Sequence, residues 1–421
     1  MNKKLITIAV AAALGAPLLA SADNSSVTLF GRVGVEYGNV KIDQAPGTNS
    51  ANRHQGAIAD NTGTSRWGLQ IGEDLGNGLK ANARIEFSFR ASNGTADSAR
   101  EQWVGLSSKT WGEVQFGRVQ SPFKDFAGGT TIDPFVATNL QARGSGGAMY
   151  APGNGLGAAA FVDHAVRYTS PDFNGFSGAL LFSPSNATQA DATNGGGNIG
   201  GKGGTGNYQV ALKYKLNTTS AGNGEVFGGY SQYNANDFQT AVVTNGVNGD
   251  DEQVWRIGGA WNFGDFRIAG QYEDVSSALG GVGANGGTSC SNGAAALGGG
   301  DVPSANAGGT GQCNSAINTN GDGNIWFLTG QYKIGKTTLV VQGGRTQADA
   351  IANSVERTSR NYTLGAIYQF SKRTRVFGGY QRVSIDGARD ASNTIDSTQG
   401  QINGVTQPDR STWTIGMRHD F

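Results

Sequence analysis

Apolar and polar residues alternate with a period of two along most of this chain, a pattern that indicates extensive β-structure. The clearest stretch is 79–90, where every odd position is apolar and every even position is polar. Short and long connections alternate between such segments, so one end of the strands carries bare turns and the other carries long loops. Residues 38–63, which are polar and lack this period, are predicted to form a loop. Sixteen segments are predicted as strands, at 27–37, 66–72, 79–90, 99–108, 112–119, 164–170, 176–184, 206–216, 224–233, 253–263, 265–275, 324–334, 337–346, 360–370, 374–384 and 410–421.

Alternation alone does not say whether the apolar faces point inward, as in a soluble sandwich, or outward, as in a membrane barrel. The segments have about the 9–11 residues that a tilted strand needs to cross the bilayer core. Aromatic residues recur toward segment ends, as interfacial girdles require, in Gly-Gly-Tyr at 228–230 and 378–380 and in Gly-Gln-Tyr at 270–272 and 330–332. Closure of sixteen strands leaves no unpaired edge in lipid. The sequence therefore predicts an all-β, 16-stranded antiparallel transmembrane β-barrel whose lumen holds water.

Residues 1–22 have the order of parts found in a signal peptide. Lys3 and Lys4 precede an apolar stretch from Leu5 to Leu19, and Ala20-Ser21-Ala22 forms a small-residue cleavage site. A retained transmembrane helix is the alternative, but Gly15 and Pro17 break the short apolar core. We expect an exported mature chain, 23–421, that forms the barrel domain. No later segment approaches the 18 consecutive apolar residues of a helical span.

Composition excludes several other classes of protein. The 32 basic and 32 acidic side chains balance, which gives no reason to expect a nucleic-acid partner. The 68 glycines follow no triplet repeat, and 19 Phe, 12 Tyr and 7 Trp argue against wholesale disorder. Cys290 and Cys313 lie in a Gly/Ala/Ser/Asn-rich segment, and for an exported chain we expect them to form one disulfide. The three histidines, His54, His164 and His419, are scattered, so neither a metal site nor a cofactor is expected.

The connection at about 120–162 is unusually long and irregular. It holds three prolines, a glycine-rich run at 144–147 and the acids Asp125 and Asp133. A structureless connection of this length inside a compact domain is either functional or counts against the strands around it. Our hypothesis is that it folds into the barrel lumen and sets the width and charge of a pore.

Four blocks of the sequence form a pattern that extends across essentially the whole mature chain. The blocks are Val27–Gly31; Ser65–Leu69 with Gly72–Lys80; Trp103–Leu106 through Gly117-Arg118 and Ser121-Pro122 to Arg167–Pro171; and Ile415–Phe421. In content and order they resemble the general diffusion porins of Gram-negative outer membranes, most closely those of β-proteobacteria, although the cysteine-bearing insert departs from the usual pattern. The resemblance implies a water-filled channel for passive diffusion of small hydrophilic solutes and ions, usually a homotrimer, with an inward-folded third loop.

The resemblance also implies where charge lies in the pore. Alternation places Arg32, Arg66, Arg84 and Glu86 on the polar, lumen-facing side, and the positions resembling Arg32, Arg66 and Arg118 form a basic ladder in the family. Arg118 has the parity of its apolar neighbours and faces inward only if a bulge or the start of the long connection re-aims it. The secondary basic candidates are Arg100 and Arg167. Asp133, and with weaker support Asp125 and Asp163, are expected to oppose the ladder, with Asp133 facing Arg66 and Arg118 across water.

The remaining expectations concern localisation and partners. The resemblance implies an outer-membrane location, with lipid, lipopolysaccharide and the assembly machinery that reads the terminal Phe421 as partners. The arginine excess suggests a mild anion preference, which the acids of the long connection oppose. A barrel enzyme is one alternative, but three isolated histidines supply no nucleophile–base arrangement, so the protein is predicted not to be an enzyme. An exported soluble all-β binding or adhesion module is the other alternative.

Overall fold

The computed structural model describes residues 25–42, 53–59, 65–142, 161–184, 206–217, 221–233, 252–276, 319–350, 357–386, 394–395, 402–403 and 410–421. A short helix, α1 (Pro122–Asp125), and a 3-10 turn (Gly129–Thr131) follow the sixth strand. The strands are β1 Ser26–Ile42, β2 Arg53–Ala59, β3 Ser65–Gly76, β4 Leu79–Arg90, β5 Thr95–Ser108, β6 Gly112–Gln120, β7 Phe161–Thr169, β8 Phe176–Ser183, β9 Asn207–Asn217, β10 Asn223–Tyr233, β11 Glu252–Phe263, β12 Phe266–Ser276, β13 Thr319–Ile334, β14 Thr337–Ala350, β15 Arg357–Gln369, β16 Thr374–Asp386, β17 Thr394–Ile395, β18 Ile402–Asn403 and β19 Arg410–Asp420.

The strands form one closed antiparallel sheet. Consecutive strands pair with each other from β3 through to β16. Strand β16 pairs with β19, and β19 pairs with β1. One half of β1 pairs with β3 and the other half with β2, so β2 and β3 occupy a single position around the barrel. The two-residue strands β17 and β18 pair only with each other among the described residues. The described strands therefore make a barrel of sixteen positions, which confirms the predicted fold.

The polar insert 38–63 is one place where the loop prediction is wrong. Strand β1 continues to Ile42, and Arg53–Ala59 forms β2 opposite its far half. Backbone pairing continues here beyond the apolar band, so the side chains no longer need an apolar face. The period-two signal therefore ends before the strands do.

Apolar side chains cover the outside of the barrel and polar ones face the other way. Neighbouring residues show this, because Leu328 and Ile415 are 50% and 65% exposed while Thr329 and Thr414 are 1% and 7% exposed. A soluble sandwich would bury the apolar set, so this distribution is inconsistent with the soluble alternative. None of the helices in the described part of the chain is long and apolar enough to cross a membrane.

The seam between the first and last strands closes on the terminal phenylalanine. The Phe421 amide donates to the Gly31 carbonyl at 3.0 Å, and the Gly31 amide donates to the backbone carboxylate oxygen of Phe421 at 3.1 Å. A Cβ at position 31 would overlap the Phe421 ring and lie 2.7 Å from the Arg66 carbonyl oxygen. Because residue 31 is a glycine, the terminal Phe421 ring can pack directly against the backbone of β1.

We expect Gly31→Ala to weaken this seam, because the added methyl group displaces the Phe421 ring. Overpacking of this kind costs about 1–3 kcal/mol of unfolding free energy. Urea unfolding in detergent micelles, followed by the gel shift between folded and unfolded forms, measures the change.

Gly72→Ala on β3 is the matched control, because its Cβ would make only ordinary contacts, 3.4 Å from Ser26 Oγ and 3.8 Å from Asn82 Oδ1. Equal unfolding midpoints for the two variants would contradict the proposed role of Gly31.

Candidate functional site

Six arginines lie close together on one side of the barrel, on the face opposite the exposed apolar residues. Three of them surround Glu86, which is 1% exposed: Arg84 Nη2 is 2.6 Å and Arg66 Nε is 3.8 Å from its carboxylate, and Arg100 Nε bonds to it directly. We call the six residues the arginine wall; its members are Arg32, Arg66, Arg84, Arg100, Arg375 and Arg418.

A β-bulge brings Arg100 into this group. Ile85 lies opposite Gln102 and Phe87 opposite Ala99, so two residues of β5, Arg100 and Glu101, lie opposite Glu86. The extra residue lets both side chains reach the same side of the sheet. Arg100 bonds to Glu86, and Glu101 lies 3.3 Å from Arg84 Nε. Strict alternation allows only one of the two to face Glu86, so the bulge is what brings Arg100, a secondary candidate from the sequence, to this carboxylate.

The barrel seam adds two arginines that sequence reasoning missed. Arg418 on β19 is the direct partner of Arg375 on β16, and Arg418 and Arg32 both bind Asp420, at 2.9 and 2.7 Å. Parity along β16 and β19 places both residues on the inner face. Only closure of the barrel brings them beside Arg32. The local alternation pattern could therefore suggest which way they point, but not which side chains lie next to them.

Arg118, expected in the basic ladder, and Asp163, expected among the acids that oppose it, form a direct ion pair on neighbouring strands. Gly117 lies opposite Ala165 and Val119 opposite Val162, so Asp163 and His164 together lie opposite Arg118, and His164 has a φ of 51°. Arg118 Nε also donates to the Arg100 carbonyl at 2.8 Å. The irregularity thus ties Arg118 to the edge of the arginine wall.

The described part of the long connection, residues 121–142, is called the loop segment below. Ser121 caps α1, because its Oγ accepts from the Phe123 amide at 3.2 Å, and Pro122 occupies the first turn, where its missing N–H costs nothing. The segment bonds to strand side chains from many parts of the barrel, all on positions alternating with the exposed apolar residues. These side chains are Gln209, Lys213, Arg256, Gln271, Gln342, Gln381 and Glu36.

Apolar packing holds the loop segment along the same course. Its first half, with Phe126 and Ile132, packs against small and aromatic side chains of β8 to β13. Phe135 and Leu140, both fully buried, pack against side chains of β14 to β16. Gly365 allows this approach, since a Cβ there would lie 2.7 Å from the Phe135 ring. The strand partners are Ala179, Ala211, Phe227, Ala260, Ala269, Ile325 and Phe327 for the first half, and Val340, Ile367 and Phe377 for the second.

Asp133 is placed differently from the expectation that it faces Arg66 and Arg118 across water. Its side chain is only 4% exposed, and its two oxygens accept from the Phe135 amide at 2.9 Å and the Ala142 amide at 2.6 Å. A buried carboxylate satisfied by backbone amides fixes the turn in which it lies. Asp133 therefore shapes the loop segment.

The other predicted acid of the segment, Asp125, binds Arg167. Arg167 Nη1 donates to Asp125 Oδ2 at 2.8 Å and to the Gln120 carbonyl at 3.0 Å, and this arginine is buried. This ion pair links α1 to β7. Both residues were predicted to carry pore charge, and in the structure they bind each other.

Lys124 is the charge of the segment that lies nearest the arginine wall. Its Nζ is 3.8 Å from the centre of the Phe161 ring, which also lies 4.8 Å from the Arg100 guanidinium carbon and 5.4 Å from that of Arg118. Although part of the side chain reaches water, burial and then the neighbouring charges of Arg100 and Arg66 lower the pKa of Lys124 well below its usual range. The segment thus brings the Lys124 amine to the arginine wall where an acid was expected.

Several residues singled out in the sequence either lie outside the described residues or are not brought together by the fold. The signal peptide and both cysteines, Cys290 and Cys313, lie outside the described residues. His164 and His419 are exposed on different strands. Within the described ranges, no group of three or more His, Cys, Asp or Glu side chains could hold a metal ion.

A closed barrel with an apolar exterior and a charged inner wall defines an outer-membrane channel. Residues 8–388 match the family model described as Gram-negative porin. The chain therefore belongs to the Gram-negative porin family, and it forms an outer-membrane channel for passive diffusion.

Curated relatives of the chain come from β-proteobacteria. Outer membrane porin protein 32 of Delftia acidovorans is 26% identical over 442 residues, covering 100% of both chains. An outer membrane porin protein of Bordetella pertussis is 33% identical over 210 residues, covering 46% of this chain and 51% of that protein. The match thus spans about half of the Bordetella protein and all of the Delftia protein.

Solved structures share the fold. An anion-selective porin from Comamonas acidovorans has a TM-score of 0.61 at 20% identity, covering 94% of this chain and 100% of that chain. The trimer form of OmpT from Vibrio cholerae has a TM-score of 0.57 at 15% identity, covering 95% and 100%. At these identities the likeness concerns the fold alone.

The placement of Asp133 predicts what its replacement will do. Asp133→Asn should leave one of the two backbone amides without its acceptor, at a cost of about 1–3 kcal/mol for a buried unsatisfied group. Hydrogen exchange should then be faster at the Phe135 and Ala142 amides. Asp172→Asn, in the exposed turn before β8, should leave these two amides unchanged and serves as the control. Unchanged exchange in Asp133→Asn would show that the carboxylate does not hold the turn.

Proposed function

We propose that the arginine wall and the loop segment together form the constriction of the channel, and that this constriction favours anions. The observation that carries the proposal is the charge at the wall. Six arginines lie there with three carboxylates, Glu86, Glu101 and Asp420. Fixed charge at the narrowest part of a water-filled pore sorts solutes by charge as well as size.

The position proposed for the loop segment rests on its partners. Its hydrogen bonds reach β9, β11, β12, β14, β16 and β1, and its apolar side chains pack on the strands between them. The partners lie on the face opposite the lipid-exposed residues, so a segment that touches all of them occupies the lumen. The water path that remains runs between the segment and the arginine wall on β1, β3, β4, β5, β16 and β19.

Electrostatics then gives the direction of selectivity. The walls of the path have a low dielectric constant, which focuses the field of fixed charges into the water between them. The acids expected to oppose the arginines are engaged elsewhere, Asp133 by backbone amides and Asp125 by Arg167. Arginine remains protonated in such a cluster, so the wall keeps its positive charge. The solutes we propose are small hydrophilic molecules and ions, with anions favoured.

The remaining features of the proposal concern export and assembly. We propose that residues 1–22 are cleaved as a signal peptide and that 23–421 assembles as a homotrimer, as the trimer form of OmpT illustrates for a protein of the same fold. Lipopolysaccharide and lipid surround the apolar exterior, and the assembly machinery reads Phe421. Cys290 and Cys313 are proposed to form a disulfide. A diffusion channel needs no nucleophile and no cofactor, so we propose no enzymatic activity.

Neutral replacement of two wall arginines tests the selectivity. Arg66→Gln together with Arg100→Gln removes two positive charges beside Glu86, so the reversal potential in a KCl gradient should shift toward cations. The shift should be larger at 0.1 M than at 1 M salt, because the Debye length falls from about 10 Å to about 3 Å.

Lys336→Gln is the control, since this lysine is exposed in the turn between β13 and β14, where its Nζ lies 3.5 Å from the Phe370 carbonyl. A reversal potential equal to the parent's in the double variant would overturn the proposed charge selectivity.

Shortening the loop segment tests the constriction itself. Replacing residues 126–140 by a short Gly/Ser linker should raise the single-channel conductance and admit larger sugars in liposome swelling. The reason is that the variant removes Phe126, Ile132, Phe135 and Leu140, which pack the segment against strands β8 to β16. Conductance and sugar cut-off like the parent's would place the constriction elsewhere.

A further inference from the structure

We propose that Arg256, with Glu273 and Gln271, is a positioning unit that holds the first half of the loop segment in place and thereby sets the width of the channel. The inference rests on the proposed constriction. It states that residues outside the arginine wall fix the position of the loop segment within that constriction. All three side chains are buried, Arg256 at 3% and Glu273 at 0% exposure. They lie on the adjacent strands β11 and β12.

Arg256 binds two backbone carbonyls of the segment. Its Nη1 donates to the Phe123 carbonyl and, at 2.8 Å, to the Ala127 carbonyl. Its Nε and Nη2 each lie 2.9 Å from Glu273 Oε1. The Phe123 carbonyl belongs to the last turn of α1 and has no partner within the helix, and the Ala127 carbonyl follows the helix. Leaving such groups buried and unpaired is costly. A planar guanidinium has enough donors to bind the carboxylate and both carbonyls at once.

Gln271 extends the unit to a third backbone group. Its Oε1 accepts from the Gly129 amide at 2.7 Å, and its Nε2 donates to Glu273 Oε1. Gly128 has a φ of 72°, and a Cβ there would overlap Gln271 Oε1. Two carbonyls and one amide of the segment are therefore held by three side chains that also bind one another.

The Phe123 ring completes the attachment. It lies 4.3 Å from the Arg256 guanidinium carbon on one side, and a Cβ on Gly229 of β10 would lie 2.8 Å from it. Cation–π contact with a desolvated arginine adds to the hydrogen bonds. The ring thus occupies a place that only glycine at position 229 leaves open.

The unit acts on the channel through Lys124. This lysine lies between Phe123 and Ala127, whose carbonyls Arg256 holds, and its Nζ rests on Phe161 beside Arg100. Arg256 and Glu273 have opposite charges, so replacing both leaves the net charge of the barrel unchanged. Any change in conduction must then come from the position of the segment.

A second, independent attachment keeps the far half of the segment in place. The Glu36 carboxylate accepts from the Asn139 amide at 2.9 and 3.0 Å and from Thr414 Oγ1 at 3.0 Å. This anchor has the opposite polarity, because a buried carboxylate holds an amide where Arg256 holds carbonyls. Loss of the positioning unit should therefore displace α1 and the residues after it while residues near Asn139 stay bound.

The test is the charge-neutral double variant Arg256→Met/Glu273→Met in the full chain. Replacement of a buried ion pair by apolar residues is often neutral for stability, so the barrel should still fold. We expect faster hydrogen exchange at the Gly129 amide, with the Asn139 amide still protected. In planar bilayers the single-channel conductance should rise and the open level should become noisier. Lys215→Gln/Asp172→Asn, which removes an exposed ion pair of 3.3 Å at the strand ends, is the control and should change neither readout.

The two readouts separate this inference from the proposed constriction. A protected Gly129 amide in the double variant refutes the positioning unit whatever the conductance. If Gly129 exchanges faster but conductance stays at the parent's value, while replacement of 126–140 raises it, the unit holds the segment without setting the channel width, and the inference fails. If neither variant changes conductance, the proposed constriction fails.

Should the double variant not fold, Arg256→Lys gives the same test. A single ammonium has no planar fork with which to bind Glu273 and both carbonyls together. We expect the hydrogen-exchange rate of the Gly129 amide to lie between that of the parent and that of a chain whose loop segment is no longer held by the positioning unit. Exchange equal to the parent's would refute the role assigned to the guanidinium.

Discussion

Closure of the backbone hydrogen-bond network is the constraint on which the rest of this structure depends. Lipid offers no partner for an N–H or C=O group, so every strand must be paired on both sides. Here the condition is met where β1 pairs with β19, along Arg32 to Ile42. The terminal residue adds its own pair of bonds to Gly31. Because all strands are paired, their side chains alone decide what faces lipid and what faces water.

The face opposite the exposed apolar residues then has to bind the irregular loop segment without leaving buried polar groups unpaired. Glutamine side chains supply many of these bonds, because an amide can both donate and accept. Gln342 and Gln381 both donate to the Leu140 carbonyl, while Gln209 accepts from Ser121. Alanine and glycine on the strands leave room for the aromatic rings of the segment. The wall behind the loop segment thus differs in composition from the wall that carries the arginines.

The sequence predicted the barrel well because alternation reports which side chains face lipid. All sixteen predicted segments fall on strands, and the soluble alternative is inconsistent with the exposed apolar faces. Prediction was weaker wherever a single residue shifts the register. Arg100 and Glu101 share one position opposite Glu86, and Asp163 and His164 share one opposite Arg118. Bulges of this kind carry no reliable local signal.

Contacts between residues far apart in the sequence were the other feature that the sequence did not predict. Asp133 looked like a lumen acid because nothing local reveals that Phe135 and Ala142 would turn their amides toward it. Arg375 and Arg418 could be oriented by parity, but their neighbours follow from the closed topology. Strand identity is encoded over a few residues, whereas the environment of a charge depends on elements hundreds of residues apart.

The arginine wall draws its members from both ends of the chain. Arg32, Arg66, Arg84 and Arg100 come from the first strands, and Arg375 and Arg418 from the last. Asp420 joins the two groups by binding Arg32 and Arg418 across the seam. A barrel that has folded all its strands but not joined its ends would therefore hold only two parts of a charged site. The proposed constriction is therefore complete only when β1 and β19 pair, which is also the contact that closes the barrel against the membrane.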